Sequence, residues 1–240
     1  MVQALVPLKE LADAKSRLAD LLESDQRIAL VAAMASDVLN VLAAHPALRR
    51  VVLVTDDPAA TELVAGGAVE CWTERDLATR GLNELVSAAS SRLLADCPDP
   101  LLVLHADLPL LSAADISAVL QAREAEAGLV ICSDRAGTGT NLLAFDRSSV
   151  PRFCFGVDSC AAHLRAAREA GVPARIVRRL GTSLDVDTPG DVAALIRALR
   201  YGGAGKTRAV LLQGGLMERL EQSLSPSVIA DQVLLGERVE

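Results

Sequence analysis

The chain has 240 residues, enough to bury a substantial core and, on length alone, to form one domain of roughly 200 residues with a tail. It is 51% hydrophobic but only 2% aromatic, so Ala, Val, Leu and Ile must fill the core, as they do where helices pack on a parallel sheet. A net charge of −7 excludes general nucleic-acid binding, and any anionic ligand has to be met by local cations or a metal ion.

No uninterrupted apolar stretch reaches the roughly 18 residues of a membrane span, so no membrane partner is expected. The opening "MVQALVPLKE" has no basic segment before its apolar run and no cleavage-like site, so no signal peptide is read there. The five cysteines, at 71, 97, 132, 154 and 160, form no CxxC pair. Reduced thiols and a cytoplasmic location are expected.

Strand-like aliphatic runs are expected at 2–8, 50–55, 69–72, 100–105, 129–133, 142–145 and 174–178, with helical patterns at 24–44, 57–65, 80–95, 112–125, 159–170 and 189–200. Two helix starts carry capping signals, Ser112 with Asp115 and Thr188-Pro189 with Asp191. Strands alternating with helices of this length predict an α/β fold, a three-layer α/β/α sandwich on a mostly parallel sheet. In such folds ligands bind beyond the carboxyl ends of the strands, which selects the loops 8–17, 105–111, 134–141 and 180–188. After Arg200 the character changes. A first domain, 1–200, is expected to end there, followed by an extension, 201–240, whose role is open. "YGGAGKT" reads as a flexible joint to a terminal packing or dimerising segment, and the apolar tail makes a homodimer plausible. Gly205-Lys206-Thr207 is not read as a phosphate loop, because Arg stands at 200 and a helix precedes it.

The chemistry-bearing residues lie in those loops. In "HADLPLL" an aliphatic strand delivers Asp107 to a carboxyl-end loop, where it either holds a hard divalent cation or caps a turn. In "SLDVDTPGD", Asp185 and Asp187 are two apart and face one side of an extended segment. Acidic groups at two strand ends suit Mg2+, which completes its shell with water and phosphate oxygens, and so point to phosphoryl or nucleotidyl transfer. Lys9, Lys15 and Arg17 supply positive charge after the first strand, or form a solvated basic face.

"DRAGTGTN" is neither a dinucleotide fingerprint nor a Walker loop. It reads as a tight turn whose amides and hydroxyls could hold a small carboxylate or phosphate. In "FGVDSCAAH", Gly156 permits close backbone approach, and Ser159 is the expected N-cap of a helix whose free amides favour an anion. His163 is read as packed, and His45 and His105 as structural. Asn83, at a helix start, suits either a base edge or a cap.

Taken in series, "VPLKELADAKSRLA", "GLNEL", "HADLPLL", "DRAGTGTNLLAF", "FGVDSCAAH" and "LDVDTPGD" resemble the guanylyltransferases of deazaflavin-coenzyme (coenzyme F-420) biosynthesis. The resemblance runs from residue 2 to about 200 and implies a nucleotide-diphospho-sugar transferase (GT-A-like) fold. It also implies GMP transfer from GTP to 2-phospho-L-lactate, phosphoenolpyruvate or 3-phosphoglycerate. By the same resemblance, Asp107, Asp185 and Asp187 would hold Mg2+, with Lys15 beside them in the catalytic set. Lys9, Lys15, Arg17 and Asn83 would bind GTP, and Thr140, Gly156 and Ser159 the small phosphorylated three-carbon acid. A different nucleotidyltransferase of the same fold, of molybdenum-cofactor or sugar-phosphate type, and a non-catalytic nucleotide-binding scaffold are the competing expectations.

Overall fold

The computed structural model describes residues 1–224 apart from 12–14, 65, 78, 80, 126–127 and 203–204. The strands are Val2–Pro7 (β1), Leu48–Val54 (β2), Glu70–Trp72 (β3), Leu101–Leu104 (β4), Leu129–Ser133 (β5), Thr140–Phe145 (β6) and Ala174–Val177 (β7). The helices are Ser24–Ala44 (α1), Pro58–Glu62 (α2), Glu74–Leu77 (α3), Leu82–Asp96 (α4), Ala113–Ala125 (α5), Ser159–Glu169 (α6), Leu180–Ser183 (α7), Pro189–Leu199 (α8), Gly205–Leu212 (α9) and Leu216–Ser223 (α10).

One sheet runs in the order β3-β2-β1-β4-β6-β5-β7. Every neighbouring pair is parallel except the two that involve β6, which runs antiparallel to β4 and β5. The reason is local: a parallel return needs a crossover of about a dozen residues or more, and the 134–139 connection is too short for one. Along β1, Ala4 and Val6 enter one core with α1 and α5, while Leu5 enters the other beside α4. Alternation at period two thus divides the aliphatic strands between two faces, and the expected α/β/α sandwich is what forms.

β1 is followed by β2 and β3 toward one edge, whereas β4 lies on its other side. The strand order therefore reverses between β1 and β4, and such a reversal opens a crevice at the carboxyl ends. The loops that follow these two strands carry Lys15 and Asp107.

Two expectations change. Gly205 opens α9 rather than a flexible joint, because the Asp37 carboxylate on α1 accepts from the amides of Lys206 (2.9 Å) and Thr207 (2.8 Å). Leu211, Leu216, Leu220 and Leu224 are buried with α1 and α8, so apolar residues that suggested a dimer surface are used within the chain. Residues 225–240 of that expected segment lie outside the described residues. The second change concerns α1. With 21 residues and a mean hydropathy of 1.6 it has the length and apolarity of a span, and half of that window is buried in the protein as a core helix.

Candidate active site

The loop after β1 is anchored by buried Leu11, Leu18 and Leu22 and by the Leu11 amide, which donates to Asp57 Oδ2 (2.7 Å). Between these anchors Lys15 takes a left-handed backbone, φ 58°, uncommon for a residue with a Cβ, before the 3-10 turn Ser16–Leu18. That turn sends the Lys15 side chain inward, where it is only 8% exposed. Its ammonium donates to Asp107 Oδ2 and to Asp187 Oδ1. Arg17, on the same turn, is exposed instead.

Asp107 stands just past β4, held by buried Leu108 and Leu111. Its carbonyl accepts from the Val186 amide (3.3 Å), which brings the 185–187 segment alongside. Asp187 precedes α8, whose start is fixed by the expected capping box of Thr188 and Asp191. Asp185 is held through Oδ1 by the Asn141 amide nitrogen (3.1 Å). Asp107, Asp185 and Asp187, drawn from distant stretches of sequence, thus converge.

Their electrostatics differ. Burial alone would lower the Lys15 pKa and raise that of Asp107. The contact between them outweighs burial, with help from Asp187 on the lysine and His105 on the aspartate, so Lys15 is held above its ordinary value and Asp107 below it. Asp185 has no such cation. Burial first, and then the Asp107 charge, push its carboxyl up to about 7 against the opposing Asn141 hydrogen bond. The Lys15 ammonium therefore pairs with two of the three carboxylates, and among the described residues Asp107 Oδ1 is buried without a hydrogen-bond partner.

Lys15, Asp107 and Asp187 open onto a cavity of about 640 Å3, within the range of small-molecule sites. Its described lining carries Glu10, Asp56, Glu74, Asp107 and Asp187 against Lys9 and Lys15. Among the described lining residues, five carboxylates thus stand against two ammonium groups. Among the described residues no three His, Cys, Asp or Glu side chains already stand as a metal cage. Lys15 fills the space between Asp107 and Asp187. A hard divalent cation still fits the donor set, which offers oxygen atoms only, an unpartnered buried Oδ1 and uncompensated negative charge. A smaller depression of about 300 Å3 between α6 and residues 149–152 contains none of the expected site residues.

The other expected residues fall differently. Lys9 is exposed at the cavity lining. The Asn83 amide nitrogen donates to the Phe155 carbonyl (3.1 Å), and its oxygen accepts from the Phe155 amide (2.7 Å). Both ends are committed to fixing the 153–156 segment. Thr140 is 3% exposed, and its hydroxyl pairs with His163 Nδ1 (3.1 Å). Ser159 is buried and is the first residue of α6; the N-cap is Asp158, in a left-handed conformation at φ 52°. Gly156 is exposed with φ 135°, a value that favours glycine. The turn 134–139 folds around its own Asp134, whose carboxylate accepts from the Thr138 amide (2.9 Å).

His163 is packed, as expected. Nε2 accepts from the Cys154 amide (2.9 Å), so in the neutral ring the proton sits on Nδ1 and points to Thr140. Burial lowers its pKa to about 4, which keeps the ring neutral. His105, expected to be only structural, lines the cavity and meets Phe155 edge-on at 5.2 Å. Its signal was in the sequence: it precedes Asp107 by two residues, the spacing that shares a side on an extended segment. Asp56 and Glu74 were also missed, and their short flanking elements gave no periodic pattern.

Three comparisons bear on this arrangement. The family described as "Guanylyl transferase CofC like" matches residues 2–223, past the boundary expected at 200. A phosphoenolpyruvate guanylyltransferase of Conexibacter woesei is 38% identical over 213 residues, covering 88% of this chain and 95% of that protein. A 3-phospho-D-glycerate guanylyltransferase of Phenylobacterium zucineum is 34% identical over 220 residues, covering 88% and 95%. Two solved structures share the fold. One, from Desulfovibrio desulfuricans G20 and named for the nucleotide-diphospho-sugar transferases, has a TM-score of 0.78 at 19% identity, covering 92% of this chain and 97% of that one. The other, a nucleotidyl transferase from Methanothermobacter thermautotroptrophicus, has a TM-score of 0.58 at 18% identity, covering 84% and 99%. The family match spans residues 2–223 and the curated relatives cover most of the chain, and the chain belongs to the family of CofC-like guanylyl transferases.

Proposed function

We propose that this chain moves GMP from GTP to the phosphate of a small phosphorylated carboxylic acid, releasing pyrophosphate, as a step toward coenzyme F-420. The observation that carries the reading is the junction of Lys15 with Asp107 and Asp187 at the β1/β4 crevice, inside a cavity of nucleotide size. Phosphoenolpyruvate is the acceptor we favour, since relatives at 38%, 35% and 37% identity carry its name. 3-Phosphoglycerate is the competitor, from the relative named for it.

In the reaction an oxygen of the acceptor phosphate forms a bond to the α-phosphorus of GTP, and the bond from that phosphorus to the α–β bridging oxygen breaks. Pyrophosphate leaves with the electron pair. The acceptor dianion is already nucleophilic, so no side chain has to form a covalent intermediate. The chain's task is to bring two anions together and neutralise charge as it moves. At 4 Å, like unit charges repel by about 4 kcal/mol at an effective dielectric of 20, which sets the scale of that task.

Lys15 and Lys9 offer ammonium groups toward the triphosphate. Asn83 and His163 hold the 153–156 segment so that Gly156 and the start of α6 face the acceptor. Asp107, Asp185 and Asp187 would hold Mg2+, which when bound supplies Lewis-acid charge neutralisation to phosphate oxygens. Five free cysteines and the use of α1 as a core helix support a cytoplasmic site of action.

Incubating the protein with GTP, Mg2+ and each three-carbon acid separately, with the product identified by mass, tests this reading. A guanosine-diphospho-enolpyruvate product supports it. Turnover only with CTP or UTP, or no pyrophosphate with any acceptor, would reject it.

A further inference from the structure

The "GTGTN" turn folds around Asp134, and its last residue reaches the site. Cys132 pairs with Leu142 and Ser133 with Thr140, so Asn141 is the extra residue of a bulge in β6. A bulge interrupts side-chain alternation and re-aims its neighbours. Thr140 turns toward α6 and His163. Asn141 is aimed at the carboxylates: one hydrogen of Nδ2 reaches Asp185 Oδ1 (3.1 Å) and the other the Thr182 carbonyl (3.2 Å). The Thr182 carbonyl has no proton to give, which fixes the amide's orientation. The Asn141 carbonyl in turn accepts from the His105 amide (3.0 Å), two residues before Asp107. The residue is 3% exposed, so packing holds it in place.

We infer that Asn141 is a positioning residue: it sets the Asp185 carboxylate against the Asp107 loop so that a divalent cation can be shared among Asp107, Asp185 and Asp187. The inference rests on the cation reading given above. With one Asp185 oxygen tied to the amide, the other is left to face the cation. Both carboxylate-bearing segments then refer to the same rigid strand rather than to each other.

The test is Mn2+ binding, followed by electron paramagnetic resonance without substrate, in wild type and in the Asn141→Ala, Asn141→Ser, Asp107→Asn and Asn83→Ala variants. Circular dichroism reports whether each is folded. Removing a residue that orients a metal ligand typically weakens metal binding by about 10–100-fold, and that loss is expected for Asn141→Ala. Asn141→Ser, which keeps a shorter donor, should fall between it and wild type, and it carries the test if the alanine variant does not fold. Asn83→Ala loosens the neighbouring segment without touching a carboxylate, so its Mn2+ affinity should match wild type. Folded Asn141 variants that bind Mn2+ within about twofold of wild type would overturn the inference while leaving the cation site intact. If wild type binds no Mn2+, or Asp107→Asn binds it as well as wild type, the cation reading itself falls and this inference with it.

Discussion

Lys15 donates to Asp107, a residue 92 positions further along the chain, across the point where the strand order of the sheet reverses. The same nitrogen reaches Asp187, 172 positions away. This one ammonium therefore ties together the loops after β1 and β4 and the start of α8, and it keeps the Asp107 carboxylate charged where burial would favour its neutral form.

Replacing Lys15 with Met should separate these roles. Breaking a buried pair costs about 3–5 kcal/mol, less here because Asp187 is 47% exposed. The variant should melt lower than wild type without metal and recover more of its melting temperature when Mg2+ is added. Turnover should fall roughly 100-fold. Melting curves with and without Mg2+ check this, and equal metal-induced shifts in the two proteins would count against a shared carboxylate site.

Asp185 gives a pH signature with a definite sign. Its carboxyl is raised from 3.8 to about 7, so the unfolded chain releases this proton first as pH rises. Between 3.8 and about 7 the folded protein holds a proton that the unfolded chain has lost, and the group's contribution to stability falls across that window, levelling above it. A cation needs the ionised form, so divalent-metal affinity should rise through about pH 7 and then level. Asp185→Asn should abolish both trends. Melting and Mn2+ titrations across this range measure them, and a wild type whose metal affinity is flat from pH 5 to 8 would contradict the assignment.

Asn83 offers a sharper division between substrates. Because both ends of its amide hold Phe155, Asn83→Ala should raise the KM for the phospho-acid about tenfold while that for GTP stays near wild type. Steady-state kinetics with each substrate varied in turn decides it. A selective rise in the GTP KM would restore the base-edge role expected from sequence.

Much of this was visible in the residues alone. Unbroken aliphatic runs such as Leu101–Leu104 and the capping box at Thr188 report their own structure, because strand burial and helix starts are local properties. Aspartates at strand ends also pointed to the site. What stayed hidden depends on partners far away in sequence. Nothing near Lys15 says that its ammonium meets carboxylates from two distant loops, and nothing near Asn83 points to Phe155. The helix at Gly205 is started by Asp37, some 169 positions earlier, so its glycines read as a joint. Asn141 was hidden because a single inserted residue in a strand reverses which way its neighbours face. The four-residue helices α3 and α7 are too short to show a period.

The measurement that reaches the centre of the account is turnover of GTP with phosphoenolpyruvate by Asp107→Asn at saturating Mg2+, with circular dichroism confirming the fold. Asp107 joins the lysine, the 185–187 segment and the unpartnered oxygen, so turnover should drop by about 100- to 1,000-fold in a folded protein. A folded variant that turns over near the wild-type rate would contradict the account.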